Sequence, residues 1–283
     1  MTDKRMTGHV PGTIVLWAIC ILFILVPLAS FLAYGFLPVI DNAIVYEPTL
    51  DNFVNIFSNS SYRTTFLRTM LLAFEVSVFN FVLGYATAYF IWRRPPAWRN
   101  ALVIALAIPL LMSYIIKIYA MRGVLGTNGL LNSALLAFGV VDEPVSALLF
   151  NLTAVRITLS VVLLPFMVLP ICVALERIAP QVLQAAADLG ASEIQTFRWV
   201  ILPLSLPGAI VGAMFTFVLA SGDFLAPELV GGIEGFTFGR LVFSQFGLAF
   251  NWPLGAALSV LLMVVALAVI SVARRLSNPR WQS

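Results

Sequence analysis

Charge is scarce in this chain. Asp, Glu, Lys and Arg make up 10% of its 283 residues against 61% hydrophobic residues, and the mean hydropathy of +0.99 is far from that of an average soluble domain. Water is not its main solvent. The basic excess is slight, 16 Lys and Arg over 13 Asp and Glu for a formal charge of +3. The basic residues are mostly arginines near the ends of apolar runs, a pattern of orientation in a bilayer and not of nucleic-acid binding. A single histidine, His9, stands in the N-terminal tail, and no cluster of metal ligands accompanies it. The two cysteines, Cys20 and Cys172, both lie inside apolar stretches, where small buried thiols are expected and a disulfide framework is not. No G-x-x-x-x-G-K-[ST] phosphate loop is present, so the chain has no P-loop ATP site. Nor is there a convincing nucleophile and base pair. Without an internal repeat or a low-complexity linker, residues 1–283 read as one domain.

Long apolar runs are what the sequence has in abundance. A hydrocarbon core of about 30 Å needs roughly 20 apolar residues in a helix. Six runs meet that length: Thr13 to Leu37, Thr69 to Trp92, Ala101 to Met121, Ile157 to Leu175, Ser205 to Ala226 and Pro253 to Ala273. The first follows Lys4 and Arg5 like a secretion signal but exceeds the roughly 7–15 residues of such a segment, so a retained span is expected. Two shorter pieces, Leu130 to Phe138 and Val145 to Leu152, fall short of a crossing and suit interfacial or re-entrant helices. The expected fold is an all-α integral membrane protein with six transmembrane helices.

With the N-terminus inside, the inner side collects Lys4, Arg5, Arg93, Arg94, Arg99, Arg177, Arg198, Arg274, Arg275 and Arg280. The outer side keeps fewer: Arg63, Arg68, Lys117, Arg122, Arg156 and Arg240. The positive-inside rule then puts both termini in the cytoplasm. Trp92, Trp98, Trp252 and Trp281 fall at or just beyond helix ends, where an indole gains by sitting among headgroups; Trp17 stands near the start of the first run. Pro165 and Pro170 inside the fourth run free carbonyls that lipid cannot satisfy. Either that helix lines a cavity or the kink is structural.

The longest inner loop, 176–203, has the grammar of two short helices. Pro180 suits a first turn, Gln181 to Leu189 is rich in helix formers, and Gly190 can supply the left-handed residue that ends the helix. Ser192 offers an N-cap with Gln195 three residues on, before Ile194 to Leu202 runs to an expected stop at Pro203. Ala185, Ala186 and Gly190 make a bare surface that lets another protein approach the backbone. A helix lying on the membrane is the alternative.

Gln184-Ala185-Ala186, Gly190 and Val200-Ile201-Leu202-Pro203 are similar to the EAA loop of bacterial ABC importer permeases. Gln184 departs from the family's glutamate, keeping hydrogen bonds but losing the charge. Leu83-Gly84-Tyr85, Leu163-Leu164-Pro165-Phe166-Met167, Asp188-Leu189-Gly190-Ala191-Ser192, Pro227-Glu228-Leu229-Val230-Gly231-Gly232 and Asn251-Trp252-Pro253 resemble the spermidine/putrescine branch. The resemblance implies a type I ABC importer permease fold in a bacterial inner membrane, with a companion permease, two ATPase subunits that bind ATP and Mg, and a soluble solute-binding protein. It implies no cofactor in this chain and no nucleic acid. ATPase coupling would fall to Gln184, Ala185, Ala186, Asp188, Gly190, Leu202 and Pro203. Other readings are a permease for an opine, a guanidino compound or another amine, an ion-gradient carrier and a membrane-embedded enzyme.

Charges at bilayer depth are costly, by at least ~2.5 kcal/mol, and mark pathways. Glu75, Lys117 and Asp223 fall in the outward halves of their runs, with Glu228 just beyond. A polyamine needs carboxylates for its ammonium groups and aromatic faces for cation–π contact. Glu75, Asp223 and Glu228, with Tyr114, Tyr119 and Phe224, are the candidate pathway residues. A structural Lys117–Glu75 salt bridge is the alternative.

Overall fold

The computed structural model describes residues 17, 19, 21–40 and 43–277. His9, Cys20, Arg280, Trp281 and the inner charges Lys4 and Arg5 lie outside the described residues. The chain divides into two compact units, one of residues 1–60 with 242–263 and one of residues 61–241 with 264–283.

In the first unit an apolar helix runs over Ile21–Tyr34, opening as a π-turn, Ile21–Leu25, and continuing as α1, Val26–Tyr34. A two-residue hairpin follows, β1 (Val39–Ile40) and β2 (Ala43–Ile44), with Val39 opposite Ile44. Then comes α2, Asp51–Ser58. The Asn52 amide donates to the carbonyls of Gly35 (3.1 Å) and Leu37 (2.8 Å), fastening α2 to the end of α1. Phe246 packs against both Phe31 and Trp252.

The second unit carries most of the helices. They are α3 (Ser60–Trp92), α4 (Pro96–Leu111), α5 (Tyr114–Leu125), α6 (Leu130–Ala137), α7 (Leu152–Glu176), α8 (Pro180–Asp188), α9 (Glu193–Thr196), α10 (Leu202–Gly222) and α11 (Leu225–Val230). Two further helices belong partly to each unit: α12, Phe238–Gly247, and α13, Trp252–Ser277. One buried apolar cluster joins Leu72, Ala73 and Val76 of α3 to Ile118 of α5 and Val155, Leu159 and Leu163 of α7. A second joins Tyr85, Ala88 and Ile91 to Met167, Ile171 and Leu175. Many remaining apolar side chains, among them Leu67, Leu71, Phe74 and Val82 of α3, point outward and stay exposed. That inversion suits a protein whose solvent is hydrocarbon.

Four described helices are long and apolar enough to cross a membrane: 60–92, 152–176, 193–222 and 252–277. They contain the expected second, fourth and sixth runs whole and the fifth as far as Gly222, beyond which the chain breaks at Asp223. The expected third run is not one straight crossing. Its helix ends at Leu111, Met112 and Ser113 are extended, and the chain resumes at Tyr114 after a bend of 98°. Pro109 lies in the last turn of α4, which continues through it to Leu111. Of the two short pieces, the first forms α6, while the second is reduced to a 3₁₀ turn at Ser146–Leu148. Pro165 and Pro170 sit within an unbroken α7.

Candidate functional site

Loop 176–203 is built by its own capping chemistry. Pro180 opens α8, and at its far end Gly190 adopts φ +75°. Its N–H donates to the Ala187 carbonyl (2.9 Å) and the Ala191 N–H to Ala186 (3.0 Å), the paired bonds of a Schellman motif. Ser192 then caps α9: its hydroxyl accepts from the Gln195 N–H (3.3 Å), and the Gln195 side chain accepts from the Ser192 N–H (2.8 Å). Both turn signals therefore act as expected. The expected stop at Pro203 does not occur. A π-turn over Phe197–Ile201 leads straight into α10, and its wider winding leaves room for the proline ring where an α-turn would clash.

Gln184, Ala185, Asp188 and Gly190 are exposed, whereas Ala186 is buried. Leu189 is 87% and Trp199 72% exposed. A cavity of about 420 Å³ is lined by Ala186, Leu189, Gly190, Gln195, Trp199 and Val200, among others. Asp188, the last residue of α8, puts a negative charge at the negative end of the helix, where it does not stabilise the helix. The loop is an apolar concavity with an acidic edge, held rigid from within. Pro203 is exposed and Leu202 half-buried.

A second group of residues, missed in the sequence, ties the loop to α3. Arg93 reaches both carboxylate oxygens of Glu193 at 3.2 Å and the Tyr89 hydroxyl at 3.2 Å. Phe197 meets the edges of Tyr89 (5.2 Å) and Tyr85 (5.9 Å). Tyr85 and Ser205 share a hydrogen bond of 2.6 Å. The local signals were Glu193 in the first turn of a capped helix and the Arg93-Arg94 pair after a long run, but nothing in the sequence joins residues 100 positions apart.

The other candidates lie away from the loop: Glu75 midway along α3, Arg156 near the start of α7 and Asp223 just past the end of α10. Glu75 pairs with Arg156 at 2.6 Å. The alternative Lys117–Glu75 bridge is therefore not what the fold makes: α7 brings an arginine to Glu75 from 81 positions away. Glu228 pairs with Arg240 at 2.5 Å, and Arg240 also donates to the Gly232 carbonyl (2.5 Å), closing the turn after α11. Asp223 is not inside a helix. It is the extended residue that ends α10, and its carboxylate accepts from the Ala226 N–H (2.8 Å) and from the Tyr114 hydroxyl. The Tyr114–Asp223 bond thus joins two helix breaks, the one before α5 and the one after α10.

Lys117 lies one turn from Tyr114 on α5, its ammonium 5.3 Å from the ring centroid. Tyr119 is 53% exposed and, five residues on from Tyr114, lies about 140° round the helix, so it does not join the Asp223 cluster. Phe224, the linking residue between α10 and α11, is 36% exposed. No group of three His, Cys, Asp or Glu able to hold a metal occurs among the described residues.

Comparison with known proteins gives this arrangement its context. Residues 80–283 match the family described as "Binding-protein-dependent transport system inner membrane component". The chain is 36% identical over 254 residues to the spermidine/putrescine transport system permease protein PotB of Escherichia coli K12, covering 89% of this chain and 91% of that one. It is 37% identical over 243 residues to the inner membrane ABC transporter permease protein YdcU of the same organism, covering 81% and 76%. Among solved structures it resembles a chain of a bacterial ABC transporter that imports the acidic polysaccharide alginate, with a TM-score of 0.76 at 17% identity, over 97% of this chain and 98% of that one; that likeness shows the fold. The family match over well over half the chain and the level of identity to its relatives place this protein among the inner-membrane permease components of binding-protein-dependent transport systems.

Proposed function

We propose that this chain is one permease half of an ATP-driven importer of polyamines in a bacterial inner membrane. The observation that carries the cargo assignment is the 36% identity, over nine-tenths of both chains, to permeases named for spermidine and putrescine. This reading has six crossings with both termini in the cytoplasm; it is supported by the four long apolar helices, with the bent pair around residue 112 and the shorter apolar helix over Ile21–Tyr34 each counted as one span, and by the inward bias of arginine. All of residues 1–283 serve as this single permease subunit. The chain carries no ATP site of its own. ATP and Mg are held by two ATPase subunits, a companion permease completes the path, and a solute-binding protein delivers the cargo.

In this reading the concavity around Gln184, Ala185, Ala186, Asp188 and Gly190 receives the ATPase, while Leu202 and Pro203 pass its movement into α10. A rigid, self-capped loop suits that role, because a force applied to a floppy connector would be dissipated locally. Gln184 contributes hydrogen bonds but no ion pair.

Asp223 is the pathway carboxylate best suited to a cargo ammonium. Glu75 and Glu228 are already neutralised by Arg156 and Arg240, whereas among the described residues Asp223 accepts from neutral donors and has no cationic partner. Tyr114 contributes its ring beside it; Tyr119 and Phe224 are peripheral.

Uptake of radiolabelled spermidine tests the function. Cells lacking their own polyamine importers and supplied with this permease, its companion, the ATPase and the receptor should accumulate the label in an ATP-dependent manner. Accumulation no greater than in cells without this chain, with the complex assembled, refutes the assignment.

A further inference from the structure

The candidate pathway is charge-balanced before any cargo arrives. Its three carboxylates, Glu75, Asp223 and Glu228, are matched in number by Arg156, Lys117 and Arg240. Two of these cations are locked by direct ion pairs at 2.6 and 2.5 Å. Lys117 is different. It makes no ion pair among the described residues, and its ammonium folds back over the ring of Tyr114, the residue whose hydroxyl donates to Asp223.

Nothing in the local structure explains a lysine there. Lys117 is in the first turns of α5, near the positive end of the helix dipole, where a cation is unfavourable. It is only half-buried, so it is not a core packing residue. A primary ammonium resting on the face of the tyrosine whose hydroxyl donates to a carboxylate without a cationic partner among the described residues is the arrangement a polyamine terminus would adopt at this site.

We propose that Lys117 is a tethered stand-in for the cargo: its ammonium occupies the Tyr114 face beside which an incoming amine would reach Asp223, and is displaced by that amine. The inference rests on the reading of Asp223 as a pathway carboxylate. Its consequence is specificity. A neutral solute cannot compete for the site, and a cation must exceed the advantage of a covalently attached rival, so weakly bound inorganic cations are turned away.

Equilibrium binding of radiolabelled spermidine to the complete importer, purified without receptor or nucleotide, tests this. Lys117→Gln and Lys117→Met should each bind about tenfold more tightly than wild type, the size of one like-charge repulsion across roughly 10 Å at an effective dielectric of about 20. The gain should vanish when Asp223→Asn is added. If both lysine variants co-purify with their ATPase subunits yet bind no more tightly than wild type, or not at all, the stand-in is refuted. The single variant Asp223→Asn reports separately on the underlying reading. Undiminished binding there removes Asp223 from the pathway, whereas lost binding with no effect of the lysine variants leaves the pathway intact and removes only the stand-in.

Discussion

Substitution of Gly190 separates the shape of the loop from what docks on it. The residue holds φ +75°, and a Cβ built there would meet nothing within 4 Å. Alanine would therefore suffer no clash and would pay only for the left-handed backbone, about 1–2 kcal/mol, which lowers the population of the native loop roughly 5- to 30-fold relative to alternatives. Asparagine tolerates the same backbone at smaller cost. Tryptophan bears the backbone cost and in addition projects a large ring into the concavity with Leu189 and Trp199. In the complete importer reconstituted in vesicles, uptake per ATP hydrolysed should fall in the order wild type, Gly190→Asn, Gly190→Ala, Gly190→Trp. The last should lose ATPase association or coupling while still inserting in the membrane. Equal impairment by Asn and Ala would refute the conformational reasoning, and normal coupling in the Trp variant would refute the docking face.

Packing and charge make two further predictions. A Cβ on Gly84 would stand 2.5 Å from Cγ of Met167 and 3.2 Å from its Cβ, so Gly84→Ala should destabilise the α3–α7 contact by about 1–3 kcal/mol; a lowered thermal midpoint in detergent, partly restored by Met167→Ala, is the expected result. Glu75→Gln should lower stability more than spermidine binding, because it strands Arg156 in a half-buried position, and a combined Glu75→Gln, Arg156→Met variant should recover part of the loss in the same melting assay.

What could be read from the sequence was what depends on near neighbours. Gly190 and the Ser192–Gln195 box could be found because each motif is closed within six residues, and the long helices because hydropathy adds up along a run. The break at 112–113 was hidden for the same reason: the run stays apolar through Met112, and hydropathy does not record direction. Pro203 misled in the opposite sense, since a proline is a stop only when the preceding turn is α-helical, and here that turn is π. Ion-pair partners were out of reach. Glu75 had Lys117 as a candidate along the chain, but its actual partner, Arg156, is selected by the parallel course of α3 and α7, the helices that meet at Glu75 and Arg156 and again at Gly84 and Met167. The same applies to Arg93 and Glu193, which only the packing of α3 against the loop brings together.

The failure of Pro203 to interrupt the chain has a mechanical consequence. From Glu193 to Gly222 the backbone forms one helix of 30 residues, a strut about 45 Å long at 1.5 Å per residue. Its lower tip is clamped by Arg93 and its upper tip ends at Asp223. Under the proposed function a tilt imposed at the ATPase-docking tip reappears at the Asp223 tip, which would make the nucleotide cycle and the grip on the cargo opposite ends of a single lever.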